Sequence, residues 1–246
     1  MQKSAAPVKK KGITVLPPVH ILPSYFSSPG KARRSLPTIL YRAAKRVMDV
    51  LVVLVVLLLL WPLLLLIALL VHRDSPGPIL HRRKVLARQR LSNDTAALLT
   101  FPAYKFRTMV PDADSILEKD AGLRQEYEKE FKLRSDPRVT RFGAFLRPFS
   151  LDEFPQLWNV LRGEMSLVGP RMISPPELAR YGAHSGTLLS VKPGLTGLWQ
   201  VSGRHCVTYE ERVLLDIWYI EHRSFLLDLL ILWRTVGCVF ARTGAF

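Results

Sequence analysis

Two adjacent carboxylates, Asp152 and Glu153, lie in the segment LRPFSLDEFPQLWNVLRGEMSLVGPR of a chain with a formal net charge of +15. Arginines flank the pair, among them Arg147 and Arg171. A carboxylate can act as a nucleophile, a general base or a ligand of a divalent cation, and guanidinium groups bind phosphate oxygens. The residue types therefore indicate a candidate anion site beside two acids.

The same residues also match the start of a helix, which is the alternative interpretation. Ser150 precedes Glu153 by three residues, as in a capping box, and acids in a first helical turn favour the helix dipole by about 0.3–1 kcal/mol. Pro155 supports a helix start because proline is tolerated in a first turn. A purely structural role would account for Ser150, Asp152 and Glu153, but not for the arginines around them.

A helical wheel divides the residues that follow into two faces. One face is an apolar stripe made of Phe154, Leu157, Trp158 and Leu161. Asp152, Gln156 and Asn159 point the opposite way, so we expect this polar row to face away from the core and to line a cleft. A phosphate at the helix N-terminus would need a cation between it and Asp152, supplied by Arg147 or by a divalent metal.

A membrane segment precedes these residues. Residues 50–71 form a 22-residue run without a charged side chain. About 20 residues at ~1.5 Å each match a hydrocarbon core of ~30 Å, and the run has no polar face, so it predicts a membrane helix rather than a core helix. It begins too far into the chain, and has no cleavage site after it, to be a signal peptide.

The flanks of the run indicate its path. Residues 31–49 and residues 72–90 each contain six lysines and arginines. Cytoplasmic flanks carry the excess of such residues, so both ends are expected on the cytoplasmic side. Pro62 lies near the middle, where proline kinks a helix. The sequence therefore predicts a re-entrant helix-break-helix over residues 41–73, with the break near Pro62.

The remaining segments complete the predicted fold. Residues 1–40 are rich in proline and lysine and are expected to be a disordered tail. Residues 79–110 are predicted to be short strands and loops, and residues 111–131 a polar helix. Residues 209–240 are predicted to be helices at the membrane interface. The fold class is thus mainly α with a few short strands, a monotopic membrane protein whose residues 74–246 form a cytoplasmic catalytic domain with amphipathic interfacial helices.

Composition narrows the classes of partner. The positive charge suits either anionic lipid or polyanions, and the membrane segment favours anionic membrane lipid over nucleic acid. Cys206 and Cys238 are too few for a disulfide framework, in agreement with a reducing compartment. The six histidines show no metal-site spacing.

Six blocks of sequence, in one order, resemble the bacterial sugar transferase family, the monotopic phosphoglycosyl transferases. The blocks are KRVMD, DSPGP, YKFRTM, DPRVTRFGAFLR, the acid-containing segment and KPGLTGLWQVSGR, and with the terminal helices they cover residues 45–246. The resemblance implies transfer of a sugar-1-phosphate from a UDP-sugar to undecaprenyl phosphate, with release of UMP. It also implies a place on the cytoplasmic face of the bacterial inner membrane, at the start of polysaccharide or glycoconjugate synthesis.

The resemblance assigns a role to each matching residue. Asp152 would be the nucleophile that forms an aspartyl-phosphosugar and the likeliest ligand of an Mg²⁺ cofactor, and Glu153 would deprotonate the acceptor. Phosphate or nucleotide contacts are implied for Arg147, Lys105, Arg107, Arg171 and Arg204.

Some positions depart from the family pattern. Met172 replaces the second proline of a Pro-Arg-Pro motif, and Trp61 replaces a serine often found before the break proline. Neither position belongs to the acid pair. Two alternatives stay open: a basic membrane-anchored scaffold without catalysis, and direct displacement with Glu153 as the base. Because no multi-span segment precedes the blocks, we expect a stand-alone catalytic unit.

Overall fold

A computed structural model describes residues 38–89, 98–130, 133, 135–203 and 207–240. Most of the predicted tail, residues 1–40, lies outside the described residues. The helices are α1 (Thr38–Asp74), α2 (Ala113–Lys119), α3 (Ala121–Glu130), α4 (Arg141–Leu146), α5 (Gln156–Arg162), α6 (Ser185–Leu189), α7 (Leu198–Val201), α8 (Tyr209–His222) and α9 (Phe225–Phe240). The strands are β1 (Leu80–Leu86), β2 (Thr100–Phe106), β3 (Ser166–Val168) and β4 (Gly194–Thr196). The mainly helical fold with few short strands is confirmed.

Two small sheets join the helices. β1 and β2 pair antiparallel, with Leu80 opposite Phe106 and Val85 opposite Phe101. β3 and β4 pair in parallel, with Ser166 opposite Gly194. The predicted polar helix after β2 is two helices, α2 and α3, because the chain turns extended at Asp120 between them.

The apolar run lies in α1, the one helix in the described ranges that is long and apolar enough to cross a membrane. Only 11% of its most apolar window is buried against the protein, whereas a core helix would be mostly buried. Leu58, Leu59 and Trp61 are among its exposed side chains. The helix continues through Pro62, so the predicted break is not an interruption of helical structure, and the re-entrant path stays a prediction.

A buried polar network attaches the first turns of α1 to α9. Asp228 is fully buried in α9, where it accepts hydrogen bonds from the Tyr41 hydroxyl at 2.9 Å and the Tyr219 hydroxyl at 2.6 Å. Lys45 of α1 forms an ion pair with the same carboxylate at 2.7 Å. A buried charge with this many partners holds its surroundings in one arrangement, because loss of any partner leaves polar atoms unsatisfied.

The next turn of α1 is bonded to α5 and β3. The Arg46 guanidinium donates to the carbonyl oxygens of Val160 and Leu161 in the last turn of α5, where carbonyl groups lack part of their intrahelical bonding. Asp49 accepts from the Ser166 hydroxyl at 2.7 Å and from the following backbone N–H at 3.1 Å. The block KRVMD therefore contains the residues through which the first part of α1 bonds to the domain.

The other end of α1 is bonded to the same domain. The buried Arg107 side chain, just after β2, donates to the carbonyl oxygens of Val71, Ser75 and Pro78. Gly77 allows the backbone to lie close to the Arg107 side chain, since its φ is +110° and a Cβ there would lie 2.7 Å from the guanidinium. Both polar ends of α1 thus contact one domain.

The apolar side chains near the two ends of α1 pack in two different core clusters. Val53, near the start of α1, belongs to the main core cluster with residues from β1, β2, α5, α8 and α9. Ile67 and Val71, near its end, pack with Phe106 and Leu146 in a second, smaller cluster. The apolar middle of the helix lies between these two anchor points.

The C-terminal helices have both buried side chains that pack in the core and an exposed apolar stripe. Tyr219 packs in the core, whereas α9 exposes one apolar stripe made of Leu226, Leu229, Leu230, Trp233 and Val236. Asp216 of α8 is fully buried and accepts from the Tyr181 hydroxyl at 2.9 Å and the Arg171 backbone N–H at 3.3 Å. Burial raises the pKa of Asp216 to about 6.

Replacing Asp228 tests the attachment of α1. We expect Asp228→Ala to lower the free energy of unfolding by about 3–5 kcal/mol, because it leaves Lys45 and two tyrosine hydroxyls without their acceptor. Denaturant unfolding in detergent measures the change. The exposed Asp112→Ala serves as control and should stay within about 0.5 kcal/mol of the wild type. A loss below 1 kcal/mol for Asp228→Ala would show that the network does not hold the helix.

The raised pKa of Asp216 predicts a pH dependence. Its folded-state pKa of about 6 exceeds the ordinary value of 3.8, so the folded protein holds this proton to higher pH than the unfolded chain does. The stabilisation is complete below about pH 4 and is lost as the pH rises through 6, a change of about 2–3 kcal/mol. Asp216→Asn lacks this titration, so its stability relative to the wild type should improve between pH 4 and pH 7. A constant difference between the two free energies of unfolding from pH 4 to pH 7 would contradict this prediction.

Candidate active site

The two acids lie on a pair of short 3₁₀ turns rather than at the start of an α-helix. The turns are Arg147–Phe149 and Leu151–Glu153, and α5 begins only at Gln156. Between the turns Ser150 has φ +55° and ψ +24°, a left-handed conformation that costs a non-glycine residue about 1 kcal/mol or more. Its side chain makes no helix-capping hydrogen bond, so the capping-box interpretation is wrong.

Asp152 is buried, with 7% of its surface exposed, and Glu153 lies beside it at the margin of the site. Burial raises the pKa of Asp152 above its usual range, and the neighbouring Glu153 charge adds to the rise, while Lys105 and Arg147 oppose it. Lys105 reaches over from β2 to form an ion pair with Glu153 at 3.2 Å. Asp152 is therefore a buried carboxylate that has an acid, Glu153, and two cations, Lys105 and Arg147, within electrostatic reach.

A short stretch after β2 positions Arg147. Its Nε donates to the Thr108 hydroxyl at 3.1 Å, and burial lowers its pKa. Gly143 of α4 lies against the Thr108 backbone so closely that a Cβ would fall 2.3 Å from the carbonyl oxygen. This close approach brings the end of α4, and with it Arg147, beside the acids.

The predicted orientation of α5 is wrong. Gln156 and Asn159, expected to face away from the core, are fully buried, whereas Trp158 is 56% exposed. Asn159 explains the difference because it satisfies the free edge of β2, accepting from the Tyr104 N–H and donating to the Pro102 carbonyl. Gln156 lies one turn earlier on the same face, and its amide has no hydrogen-bond partner among the described residues.

A second group of cations surrounds the rings of Trp199 and Tyr209. The Arg171 guanidinium stacks on Trp199 at 5.1 Å, and Arg212 lies 5.4 Å from Trp199 and 4.0 Å from Tyr209, measured to the ring centroids. Burial lowers the pKa of Arg171, and the charge of Arg212 lowers it further. The charge of Glu153 acts in the opposite direction, which places this group within electrostatic reach of the acids.

The cations outnumber the acceptors that the described part of the protein offers them. Glu177 accepts from Arg83 at 2.7 Å and lies 4.0 Å from Arg212. Buried Nε atoms of Arg171 and Arg212 and the Trp199 indole N–H have no hydrogen-bond partner among the described residues. Each such donor costs about 1–3 kcal/mol when unsatisfied, so the group suits an anionic ligand with several acceptor oxygens.

Sequence reasoning missed part of this group. Arg212 lies in an ordinary helical pattern in α8. Only the tertiary fold brings Trp199 and Arg212 to Arg171, because 28 and 41 residues, respectively, separate them from it along the chain. The block KPGLTGLWQVSGR was the one available signal, since it contains Trp199.

The predicted site residues divide into three sets. Asp152, Glu153, Lys105 and Arg147 lie together, and Arg171 faces them with its own partners. Arg107 bonds to the end of α1, so a contact with substrate stays a prediction for it. Arg204 lies outside the described residues.

Asp152, the predicted Mg²⁺ ligand, lies next to a second carboxylate, Glu153. No cluster of three or more histidine, cysteine or acidic side chains occurs in the described ranges. Mg²⁺, however, is usually held by one or two carboxylates together with substrate phosphates. Asp152 and Glu153 fit that pattern, so the predicted ligand set is compatible with the side chains present.

Known proteins resemble this chain along most of its length. A UDP-galactose-lipid carrier transferase of Erwinia amylovora is 43% identical over 83% of this chain and 42% of its own length. An undecaprenyl-phosphate galactose phosphotransferase of Salmonella typhimurium is 42% identical with the same coverage. The exopolysaccharide production protein ExoY of Rhizobium meliloti is 41% identical over 82% of this chain and 88% of its own.

The chain spans less than half of the length of the Erwinia amylovora relative, 42%, and most of the length of ExoY, 88%. The sequence profile described as bacterial sugar transferase matches residues 40–242, from the start of α1 to beyond the end of α9. On this match and these identities, the chain belongs to the bacterial sugar transferase family.

Proposed function

We propose that this protein transfers a sugar-1-phosphate from a UDP-sugar to undecaprenyl phosphate and releases UMP. The observation that carries the proposal is the buried Asp152 beside Glu153, with Lys105 and Arg147 close to the pair and with buried arginine donors that lack an acceptor among the described residues. The names of relatives support the substrate class, including an undecaprenyl-phosphate glucose phosphotransferase of Komagataeibacter xylinus that is 39% identical over 78% of this chain.

The first half of the reaction uses Asp152 as the nucleophile. One carboxylate oxygen attacks the phosphorus that carries the sugar, an oxygen–phosphorus bond forms, and the bond to the UMP oxygen breaks. The phosphorus stays attached to the sugar, and Arg147 lies where it would neutralise the new phosphodiester charge. Burial favours this step because a poorly solvated carboxylate is a stronger nucleophile than a fully hydrated one.

The second half returns Asp152 to its starting state. An oxygen of the polyprenyl phosphate attacks the same phosphorus, and the aspartyl oxygen leaves as a carboxylate. Glu153 lies beside Asp152 and would accept the proton of the incoming phosphate. Lys105 balances the charge of Glu153 in both halves. Asp152 would hold Mg²⁺, which would supply positive charge for the diphosphate.

The group formed by Arg171 and Arg212 would hold the donor. Buried nitrogen atoms of both guanidinium groups have no hydrogen-bond acceptor among the described residues. The diphosphate of a UDP-sugar carries several acceptor oxygens, and guanidinium groups bind them in pairs. The donor would then reach Asp152 from the side of Glu153.

The contacts of α1 support a re-entrant path. A water-facing domain lies on one side of a bilayer, and both ends of α1 bond to it through Lys45, Arg46 and Arg107. A helix that crossed the bilayer would have to release one of these ends. We therefore place the domain on the cytoplasmic face of the inner membrane, where the basic flanks belong.

Exposed aromatic residues near the acids favour a site at the membrane surface. Phe142, Phe145 and Phe149 form a row with ring centroids 5.9 and 5.5 Å apart, and Phe145 is 55% exposed. Trp158 projects from α5 in the same part of the sequence. Aromatic side chains favour the headgroup layer, where the phosphate of a polyprenyl lipid would emerge.

Replacing the acids tests the reaction. We expect Asp152→Asn to reduce UMP release from UDP-glucose or UDP-galactose by at least about 10³-fold, because an amide cannot form the intermediate. The assay contains undecaprenyl phosphate and Mg²⁺, with EDTA expected to abolish release. The exposed Asp112→Asn is the matched control and should retain the wild-type rate. Unchanged release by Asp152→Asn would exclude it as the nucleophile, and no release from folded wild type would favour a scaffold.

Isotope exchange separates a covalent step from direct displacement. Without lipid acceptor, an aspartyl intermediate allows labelled UMP to enter the UDP-sugar pool, whereas direct displacement does not. Glu153→Gln should keep this exchange while losing most turnover. An exchange rate of zero with active protein would favour direct displacement with Glu153 as the base.

The arginine group predicts a binding defect. Arg212→Gln removes charge-assisted hydrogen bonds worth about 1.5–3 kcal/mol, so the KM for the UDP-sugar should rise roughly 10- to 100-fold while kcat changes less. Titration calorimetry with UMP measures the same loss directly. Arg124→Gln, an exposed arginine of α3, is the control. An unchanged KM in a folded Arg212→Gln protein would place the donor elsewhere.

A further inference from the structure

A basic cavity lies near the C-terminal end of α5, whereas the acids precede its N-terminal end. Its volume is about 150 Å³, and side chains from the first turns of α1, from β3 and the residues after it, from residues 190–192 and from the end of α8 line it. Pockets that bury a drug-sized ligand have about 300–1,000 Å³. The cavity is therefore too small for a sugar nucleotide and large enough for a single phosphate group.

The charge of the lining is strongly unbalanced. Six basic side chains face one acid, Asp49. Asp49 already accepts hydrogen bonds from Ser166 and the next backbone N–H, and Lys45 pairs with Asp228. Among the described residues, no carboxylate forms an ion pair with Arg42 or Lys192. The cavity therefore has a positive charge that the described part of the protein does not neutralise.

Two of the cations converge on one point. A Cβ on Gly163, the residue that ends α5 with φ +79°, would lie 3.4 Å from the Lys192 Nζ and 3.7 Å from the Arg46 guanidinium carbon. The guanidinium of Arg46 is bonded to carbonyl oxygens of α5, whereas the Lys192 ammonium has no hydrogen-bond partner within the described ranges. Burial lowers the pKa of Lys192, and the charge of Arg46 lowers it further. An anion between them would relieve this repulsion.

The position of the cavity identifies the source of the anion. Its α1 residues end at Asp49, immediately before the apolar run begins at residue 50. Arg223 lines it just before α9, whose apolar stripe is exposed. If α1 enters the bilayer, the cavity lies at the depth of the headgroups, where lipid phosphates are the most concentrated anions.

We propose that this cavity binds the phosphate of an anionic bilayer phospholipid, at a site separate from the one that holds the acids. Asp152 precedes the N-terminus of α5, whereas the cavity adjoins its C-terminus. A bound headgroup would join α1, α5 and the start of α9 through one shared anion. The inference goes beyond the transferase reaction, and its test reads lipid binding rather than turnover, so either can fail without the other.

The experiment uses the full chain in a zwitterionic detergent at low salt. Short-chain phosphatidylglycerol, short-chain phosphatidylcholine and inorganic phosphate are added separately, and thermal unfolding and native mass spectrometry follow binding. We expect phosphatidylglycerol alone to raise the Tm saturably and to bind one molecule per chain. Lys192→Gln should weaken this binding about tenfold, while Lys119→Gln, an exposed lysine of α2, should not.

Each other outcome contradicts the proposal. An equal effect of phosphatidylcholine would show that the headgroup charge is not recognised, and an equal effect of inorganic phosphate would identify a free-phosphate site. Displacement by a short polyprenyl phosphate at equal concentration would assign the cavity to the acceptor. Unchanged affinity in Lys192→Gln would exclude the cavity. If that variant does not fold, Arg42→Gln, whose side chain is exposed, replaces it.

Discussion

The attachment of both polar ends of an apolar helix to one domain is the constraint on which the other features depend. At one end Asp228, Asp49 and the last carbonyls of α5 hold the block KRVMD, and at the other Arg107 holds the chain as it leaves the helix. These are buried charged contacts, which tolerate little displacement because a missing partner leaves a charge without solvent. The elements that touch the two ends, α5 and β2, are also the elements that position the acids and Lys105.

The acids sit where two demands conflict. Burial raises the pKa of Asp152, which disfavours the ionised form that a nucleophile needs, and Lys105 and Arg147 restore part of it. The surroundings thus keep the carboxylate poorly hydrated while supplying charge from fixed positions, an arrangement that favours reaction with an anionic phosphate. The left-handed backbone at Ser150 belongs to the same compromise, since it turns the chain sharply between two short helical turns.

The sequence was sufficient for features that depend on local pattern or on block order. The length and composition of residues 50–71 identified α1, residues 79–110 were correctly expected to contain short strands, and the six blocks identified the family. It was insufficient where a tertiary contact reverses a local preference. Asn159 and Gln156 are polar and were placed outside, but the open edge of β2 draws Asn159 inward. Arg212 gave no signal because its partners Arg171 and Trp199 lie outside its own helix.

The pair formed by Lys45 and Asp228 joins positions 183 residues apart. A ribosome adds about 5–20 residues per second, so the lysine waits roughly 10–40 seconds for its carboxylate. During that interval the apolar helix has left the ribosome while α9 has not been made. The helix must therefore reside in the bilayer, or on a chaperone, before the contacts that seat it exist. The pair of Lys45 and Asp228 can form only once α9 exists, so α9, the last helix in the described part of the chain, completes the attachment of α1.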